Sequence, residues 1–205
     1  MKFGVILDVE ASRAIRQAEV GAARTMIERT EERFGLKPGR LVGDTAYGAA
    51  PMLNWLVEEK DIAPHIPVID KSKRDDGTFS RSDFRYDPTA DVYHASKLDC
   101  EVCPLKPQCC PKEPSRKIPR DVHEHARDVA RSFAGTEGFE QSRRERKKIE
   151  MRFAHLKRIL RLGRLRLRGP RGAQDEFVLA AIAQNLRRLA SLVARPPPAH
   201  ALCTA

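Results

Sequence analysis

The pattern of apolar and polar residues over the first 69 positions predicts strands and helices that follow one another in alternation. The apolar run from Lys2 to Glu10 predicts a buried strand. A helix is predicted from Ser12, a candidate N-cap, to Phe34, and Gly35 ends it. A strand at 40–43, a helix at 50–60 and a strand at 62–69 are predicted to follow. Such alternation is typical of an α/β fold with parallel pairing between strands.

The pattern changes at Asp70 and divides the chain into four regions. Residues 70–135 are polar, with scattered aromatic residues that suit a small hairpin and a proline-rich, loop-like stretch, CEVCPLKPQCC. Residues 136–194 predict C-terminal helices, and the last of these, at 175–194, is apolar on more than one face, which predicts burial against the sheet. Residues 195–205 predict a disordered tail. We expect a core of 1–69 completed by 136–194, with 70–135 inserted between them.

The stretch from Arg143 to Arg171 predicts a helix with two distinct faces. One face is apolar, with residues at steps of four, three and four: Ile149, Phe153, Leu156 and Leu160. Arg146, Glu150 and Lys157 share a neighbouring face. A carboxylate between cations suits a divalent ion beside phosphates, which is the chemistry that cutting a nucleic-acid backbone needs. The alternative is a solvated basic helix with one ion pair between Arg146 and Glu150.

Charge is concentrated in this same stretch. The chain has a formal net charge of +10, and residues 143–171 hold thirteen Lys or Arg against two Glu, a net of +11, which leaves about −1 elsewhere. A basic stripe on a near-neutral body is typical of a protein that binds a phosphate backbone. No apolar stretch approaches the ~20 residues of a membrane span, and Asp8 and Glu10 interrupt the N-terminal apolar run, which excludes a signal peptide. We therefore expect a cytoplasmic protein without a membrane partner.

Asp44 lies at the carboxyl end of a predicted strand, inside the sequence GDTAYG. Open α/β sheets place their ligand chemistry at that end of their strands, which makes Asp44 a candidate ligand. The alternative is an aspartate that caps a turn, because such residues are common where a strand leads into a helix. Position alone leaves both interpretations open.

Four of the five cysteines fall within eleven residues, at Cys100, Cys103, Cys109 and Cys110. Their spacing resembles that of zinc ligands, and His94 could supplement them. A structural zinc site usually pairs two ligand clusters, and the second cluster is missing here. Structural zinc and reduced thiols therefore both remain open. His65, within a predicted strand, is expected to be a packed core residue.

Read together, the Asp44 sequence and the spacing R-x3-E-x6-K at Arg146, Glu150 and Lys157 resemble the DDE transposases of bacterial insertion sequences. The resemblance extends to about Ala194 and includes APHIPV, CEVCPLKPQC, RLRLRGPRGAQDEF and AAIAQNLRRL. It implies a ribonuclease-H-like catalytic domain, DNA at the transposon ends as the partner, and association with the bacterial nucleoid when DNA is bound. It also implies DNA transposition by metal-dependent strand cleavage and transfer.

The resemblance assigns roles residue by residue. Asp44 matches the second acidic residue of the family and Glu150 the third. Together with a first aspartate they would hold two Mg²⁺ or Mn²⁺ ions. The resemblance implies DNA contacts from Arg146 and Lys157 to phosphates and from Tyr47, which would position the DNA. We also expect the arginines of the RLRLR tract, Arg164, Arg166 and Arg168, to contact the backbone.

The departures from the family concern three positions. Arg143 stands where the family usually has a tyrosine. The first catalytic aspartate of the family precedes the segment matched by Met1, and Asp8 lies on what resembles the third strand, so it is only a candidate substitute ligand. His94 and Ala95 follow Tyr93 where the family tends to have a further cysteine. We therefore expect a ribonuclease-H-like fold incomplete at its N-terminus: the C-terminal part of a transposase, inactive alone.

Two rival functions remain. One is a non-catalytic nucleic-acid-binding protein that uses the basic stripe 143–171 without metal and interferes with an intact transposase. Such a protein could assemble with the intact transposase or with a second copy of itself. The other is a small zinc-binding interaction module, which rests only on the cysteines. The missing first aspartate separates the transposase hypothesis from the first rival.

Overall fold

The computed structural model describes residues 4–13, 15, 18–69, 79 and 83–193. The chain forms two compact units, one from residues 1–42 with 136–205 and the other from residues 43–135. The predicted tail at 195–205, residues 70–78 and the first residues of the predicted N-terminal strand lie outside the described residues. The predicted boundaries at 69 and 135 stay predictions.

Helices dominate the described residues, with short strands between them. In chain order the elements are α1 (Ala18–Phe34), β1 (Arg40–Val42), a 3₁₀ turn (Thr45–Gly48), α2 (Ala50–Asn54) continued by a π-helical turn (Trp55–Glu59), β2 (Ala63–His65), β3 (Phe84–Asp87), β4 (Val92–Ala95), α3 (Lys97–Val102), α4 (Lys106–Cys109), β5 (Lys117–Pro119), α5 (Glu124–Phe133), α6 (Glu137–Arg158) and α7 (Gly169–Val193). This mixture of helix and sheet is consistent with the α/β class. Within the described residues no helix is long and apolar enough to cross a membrane.

The predicted N-terminal strand is wrong over its described part, because residues 4–10 form no strand. Their backbone is paired instead with side-chain amides of α7. Asn185 accepts from the Ile6 amide at 2.9 Å and donates to the Ile6 carbonyl at 2.8 Å. Gln174 likewise donates to the Val9 carbonyl at 3.0 Å and accepts from the Ala11 amide at 2.7 Å. Two amides thus satisfy backbone groups that a neighbouring strand would otherwise satisfy.

The first helix ends where the sequence predicts and begins later than predicted. α1 starts at Ala18, and residues 11–13, including the candidate cap Ser12, are not helical. At the other end, Gly35 takes a positive φ of 62°, and its amide bonds to the Glu31 carbonyl at 2.9 Å. A glycine in this left-handed conformation is a common helix terminator, so the predicted stop is confirmed.

The core of the second unit forms around α2 and the π-helical turn that continues it. Leu53, Trp55 and Leu56 are at most 2% exposed. α2 packs against α5, and α5 also contacts β2. The ring of His65 on β2 lies 5.0 Å from that of Phe133 on α5, so His65 is the packed core histidine that the sequence predicts. The predicted strand at 62–69 is shorter than expected, at three residues.

An antiparallel sheet in the order β3-β4-β5 follows, which confirms the predicted hairpin and adds a third strand. Phe84 lies opposite Ala95, and Val92 lies opposite both Asp87 and Pro119. The predicted parallel pairing concerns β1 and β2, which belong to different units, and it stays a prediction. The cysteine-rich stretch is wrongly predicted as a loop, because it forms α3 and α4. Ser96 caps α3 by accepting from the Asp99 amide at 3.3 Å, and Pro107 lies in the first turn of α4, where a missing amide costs little.

The two C-terminal helices differ from prediction at their adjoining ends. α6 ends at Arg158, so Leu160, predicted to lie on its apolar face, falls in the loop that follows. α7 begins at Gly169, six residues before the predicted start, with Pro170 in its first turn. Its predicted burial against a sheet is wrong: small residues such as Ala180 and Ala181 are buried, whereas most of its large apolar residues are exposed and Phe177 is half-buried.

Candidate nucleic-acid interface and carboxylate site

The C-terminal helix α6 presents the predicted acidic residue between its two basic neighbours. Thr136 caps the helix by accepting from the Phe139 amide at 3.2 Å. Arg146 Nε lies 3.1 Å from Glu150 Oε1, the ion pair that the alternative interpretation expects. The Glu150 side chain is 57% exposed, so this pair contributes little stability and costs little to open. Glu150 therefore remains accessible to a cation, and Lys157 is exposed two turns further on.

A basic loop, residues 159–168, joins α6 to α7 and presents four exposed arginines: Arg161, Arg164, Arg166 and Arg168. Glu176 Oε1 on α7 accepts from the backbone amides of Arg166 at 2.6 Å and Leu167 at 2.5 Å. A Cβ at Gly172 would lie 2.7 Å from Leu167 Cβ, so glycine is needed where the loop crosses the helix. The loop is thus held against α7 by its backbone, which leaves the guanidinium groups directed to solvent.

Sequence reasoning missed this anchor. Glu176 was part of a tract noted only for resemblance, and an acidic residue beside a basic run suggests an ion pair rather than a backbone acceptor. No local signal was available, because Glu176 is the eighth residue of α7, beyond the first helical turn in which carboxylates commonly accept from backbone amides.

Asp44 lies in the second unit, in a tight turn built by its neighbours. It caps the 3₁₀ turn by accepting from the Ala46 amide at 2.9 Å. A Cβ at Gly43 would lie 3.1 Å from the Tyr47 ring, and one at Gly48 would lie 3.1 Å from the Pro67 carbonyl oxygen. Both glycines therefore lie where a side chain would crowd its neighbour. The capping role expected by the alternative interpretation is observed, and it fixes the orientation of the carboxylate.

A link within the first unit brings the strand before Asp44 to the helix that carries Glu150. β1, which ends two residues before Asp44, packs against α6. Arg40 on β1 bonds to Glu145 Oε2 on α6 at 3.3 Å, and Gln141 also donates to Glu145 at 3.3 Å. Glu145, which the sequence did not single out, thus joins the two elements one and a half turns before Glu150.

Asp8, the candidate substitute ligand, is occupied by Arg29. Arg29 Nε and Nη2 lie 2.7 and 2.9 Å from the two Asp8 oxygens, and Arg29 Nη2 also lies 2.9 Å from Glu10 Oε2. The hydrogen bond to Asp8 holds the pKa of Arg29 above its usual value. A bidentate pair of this kind is a strong, oriented interaction. Asp8 would have to leave Arg29 to coordinate a metal ion.

Asp44 and Glu150 are ligands of the type that Mg²⁺ and Mn²⁺ prefer, but they are fewer than such a site needs. Carboxylate oxygens are the ligands these ions prefer. Asp44 and Glu150 belong to different units, however, and the described part of the chain contains no group of three or more His, Cys, Asp or Glu side chains placed to hold a metal ion. The two residues stay a prediction as a shared site.

The four clustered cysteines are free thiols that line one cavity of about 130 Å³ together with Phe79 and Phe84. Cys109 is exposed and Cys110 is buried. Burial raises the pKa of the Cys110 thiol, and the neighbouring thiols Cys100 and Cys109 add to the effect. Zinc binds the thiolate form, so a raised pKa disfavours it. The described part of the chain contains no group of three or more His, Cys, Asp or Glu side chains placed to hold a metal ion, so the zinc site stays a prediction.

Cys110 is expected to react with iodoacetamide at least about tenfold more slowly than Cys109 at pH 8.5, because its thiol is buried and a raised pKa leaves less of the reactive thiolate. Peptide mass spectrometry over a time course measures both rates in one sample. In urea the two rates should converge, which is the control. Equal rates in the folded chain would contradict the described burial.

Comparison with known protein families identifies the family of this chain's C-terminal half. A protein-family model described as a transposase DDE domain matches residues 79–190, more than half of the chain. The match covers the antiparallel sheet, the four clustered cysteines, α6, the basic loop and most of α7, and it leaves Asp8 and Asp44 outside its range. No curated protein and no solved structure matches the chain.

Proposed function

Because the chain belongs to the family of transposase DDE domains, we propose that it acts in DNA transposition by binding duplex DNA through α6 and the basic loop. Residues 143–171, which carry a net charge of +11, form most of α6, the basic loop and the start of α7. DNA carries one phosphate charge per ~1.7 Å of helix axis, so a protein surface with this charge density attracts it over any sequence.

The observation that carries the proposal is the set of exposed arginines on an anchored loop. Among the described residues, no ion pair engages Arg161, Arg164, Arg166 or Arg168, and the loop's nearby carboxylate, Glu176, bonds to backbone amides. Guanidinium groups that give up no protein partner lose little when they bind phosphate, and their planar forks suit its oxygens. The fixed backbone of the loop lowers the entropy that binding has to remove.

Replacing Arg164, Arg166 and Arg168 together by Ala is expected to weaken duplex binding and flatten its salt dependence. Each phosphate contact releases counterions, so the slope of log Kd against log salt concentration should fall by about 2–3 in total. Fluorescence anisotropy on one labelled duplex at several salt concentrations measures the slope.

The matched control replaces Lys37, Arg85 and Lys112 by Ala. These exposed cations lie outside residues 143–171, and the control loses the same net charge as the arginine variant. The control should keep the wild-type slope. If the two variants behave alike, net charge alone governs binding and the basic loop is not the interface.

We propose further that Asp44 and Glu150 are the chain's two carboxylates of a family metal site on a ribonuclease-H-like core. A divalent ion bound there would stabilise charge on a phosphate that undergoes cleavage. Asp44 and Glu150 would hold the ion, Arg146 and Lys157 would hold phosphates, and Tyr47 would orient the DNA. Support comes from the contact of β1 with α6 and the bond between Arg40 and Glu145, within the first unit.

The second candidate function is DNA binding without catalysis. It is favoured by the bidentate pair between Asp8 and Arg29, which occupies the carboxylate that could complete the set. Both functions use the same basic surface and predict the same salt dependence. They differ only in DNA cleavage. Assembly with an intact transposase and association with the nucleoid belong to either proposal.

A further inference from the structure

Three arginines of the first unit line one cavity, which we name the arginine cavity: Arg152 of α6 and Arg187 and Arg188 of α7. Its volume is about 180 Å³, and none of its described lining residues is acidic. α6 has no acidic residue after Glu150, and α7 has none after Glu176. A concave site lined by charges of one sign concentrates ions of the opposite sign, so the arginine cavity suits an anion.

Arg152 is held in place by the N-terminal segment. Its guanidinium donates from Nη1 to the Gly4 carbonyl, and a Cβ at Gly4 would overlap Arg152 Nη2. Gly4 also has a φ of 64°, so glycine is favoured there by conformation as well as by space. The segment is fixed in turn by the two hydrogen bonds between Ile6 and Asn185. Because a guanidinium has five N–H donors, Arg152 keeps further donors for a ligand.

Arg187 is positioned by His155 of α6. Arg187 Nη1 contacts His155 Nε2, and the side-chain amide of Gln184 lies 2.8 Å from His155 Nδ1. A guanidinium can only donate, so the imidazole accepts at Nε2. An accepting imidazole is an uncharged partner. It orients the guanidinium without neutralising it, which leaves the charge of Arg187 available to an anion.

The size of the arginine cavity limits its ligand. Pockets that enclose drug-sized molecules begin at about 300 Å³. At about 180 Å³ the cavity is too small to enclose a nucleotide, but it can take one group of a few atoms together with water. A single phosphate group at the end of a longer molecule, or a small free phosphate, fits this description.

The charge of the cavity separates two kinds of phosphate. A phosphomonoester carries about −1.5 to −2 charge at pH 7 and has three terminal oxygens. A diester of the DNA backbone carries a single charge and has two such oxygens. Three planar guanidinium groups match the monoester better, because each can bind two oxygens side by side. We propose that the arginine cavity binds a phosphomonoester, either at the end of a DNA strand or on a small molecule.

Isothermal titration calorimetry of the 205-residue chain with inorganic phosphate and with dimethyl phosphate tests the proposal. Inorganic phosphate should bind at least about tenfold more tightly, because the diester lacks a charge and an oxygen. Arg187→Gln should raise the Kd of inorganic phosphate at least about tenfold, and Arg187→Lys should restore only part of the affinity because the fork is lost. Arg187 is exposed, so both variants should fold, which circular dichroism checks.

The matched control is Arg33→Gln, which removes the same charge from an exposed position of α1 in the same unit. It should change the Kd of inorganic phosphate by less than about twofold. Equal loss in Arg33→Gln and Arg187→Gln would overturn the proposal, since net charge would then explain binding. So would equal affinity for the two phosphates, or no binding of inorganic phosphate.

Oligonucleotides with a 5′-phosphate, a 3′-phosphate or only hydroxyl ends distinguish the two sources of the ligand. Tighter binding of a phosphorylated end that Arg187→Gln abolishes supports the proposal with a DNA end as ligand. Equal binding of all three, together with binding of inorganic phosphate, supports it with a small molecule as ligand. The basic-loop variant should keep the wild-type Kd for inorganic phosphate, so failure of the arginine cavity and failure of the proposed DNA interface are separate results.

Discussion

Incubated with Mg²⁺ or Mn²⁺ and a supercoiled or end-bearing duplex, the 205-residue chain is expected to leave both DNA strands intact. Catalysis by two metal ions needs ligands that fix both ions, and the chain offers Asp44 and Glu150. Both oxygens of Asp8 are hydrogen-bonded to Arg29, so Asp8 would have to break this pair before it could bind a metal ion. Nicking should therefore stay at the level of a reaction without protein, measured by gel electrophoresis over hours.

The variants Asp8→Ala, Asp44→Ala and Glu150→Ala provide the comparison. None of the three should change the absence of cleavage, while all should still bind DNA because they leave the basic loop intact. Strong cleavage by wild type that disappears in each variant would show that Asp8 completes the set of ligands. In that case the Asp8–Arg29 pair must open when metal binds, and the second candidate function would fail.

Replacing Leu53 by Ala is expected to lower the free energy of unfolding of the second unit by about 2–5 kcal/mol. Leu53 is fully buried where α2 meets α5, so truncation leaves a cavity that the neighbouring helices cannot fill. The only tryptophan, Trp55, is also buried in this core, and its fluorescence reports unfolding of this unit in urea. The unit carries the Asp44 turn immediately before α2, so the same change should also loosen the candidate site.

Leu98→Ala is the matched control, because Leu98 belongs to the same unit and is exposed. It should change the free energy of unfolding by no more than about 0.5 kcal/mol. A loss below about 1 kcal/mol for Leu53→Ala would mean that the core around α2 is loosely packed. It would contradict the burial described for this region.

Local patterns predicted the elements whose partners lie close in the sequence. The apolar periodicity of 50–60 predicts burial of Leu53, Leu56 and Val57. Leu53 and Leu56 are buried and Val57 is half-buried, because a helical face that meets a neighbouring helix keeps its period. Gly35 ended α1 for a reason confined to one residue, its freedom to adopt positive φ. Asp44 was recognised as a residue after a strand, and its cap to Ala46 is equally local.

Long-range partners account for the errors. The run around Ile6 has the composition of a buried strand, but its hydrogen-bond partner is the side chain of Asn185, 179 residues away. No local pattern reveals such a partner. The sequence of α7 is apolar on more than one face, which predicted burial, yet composition alone does not say whether residues such as Leu179, Leu186 and Leu189 meet the core or solvent. Leu160 continued the period of α6 past its end, which concealed the start of the basic loop.

The candidate site was predicted only as far as single elements reach. The ion pair between Arg146 and Glu150 follows from helical spacing, so sequence sufficed for it. The sequence did not predict two contacts that join distant residues. Glu176 anchors the basic loop about ten positions away, and Arg40 bonds to Glu145 more than a hundred positions away. Whether Asp44 and Glu150 share one site depends on the same kind of long-range arrangement, and the family resemblance was its sole source in the sequence.

Iron-directed cleavage of the protein tests that shared site most directly. Fe²⁺ in a Mg²⁺ site, with ascorbate and peroxide, produces hydroxyl radicals that cut the nearby backbone, and mass spectrometry locates the cuts. We predict cuts near both residue 44 and residue 150, and Asp44→Asn or Glu150→Gln alone should remove both, whereas the exposed control Glu101→Gln should remove neither. Cuts near one residue that persist when the other carboxylate is neutralised would contradict a shared metal site and leave this chain a DNA-binding member of its family without catalytic geometry.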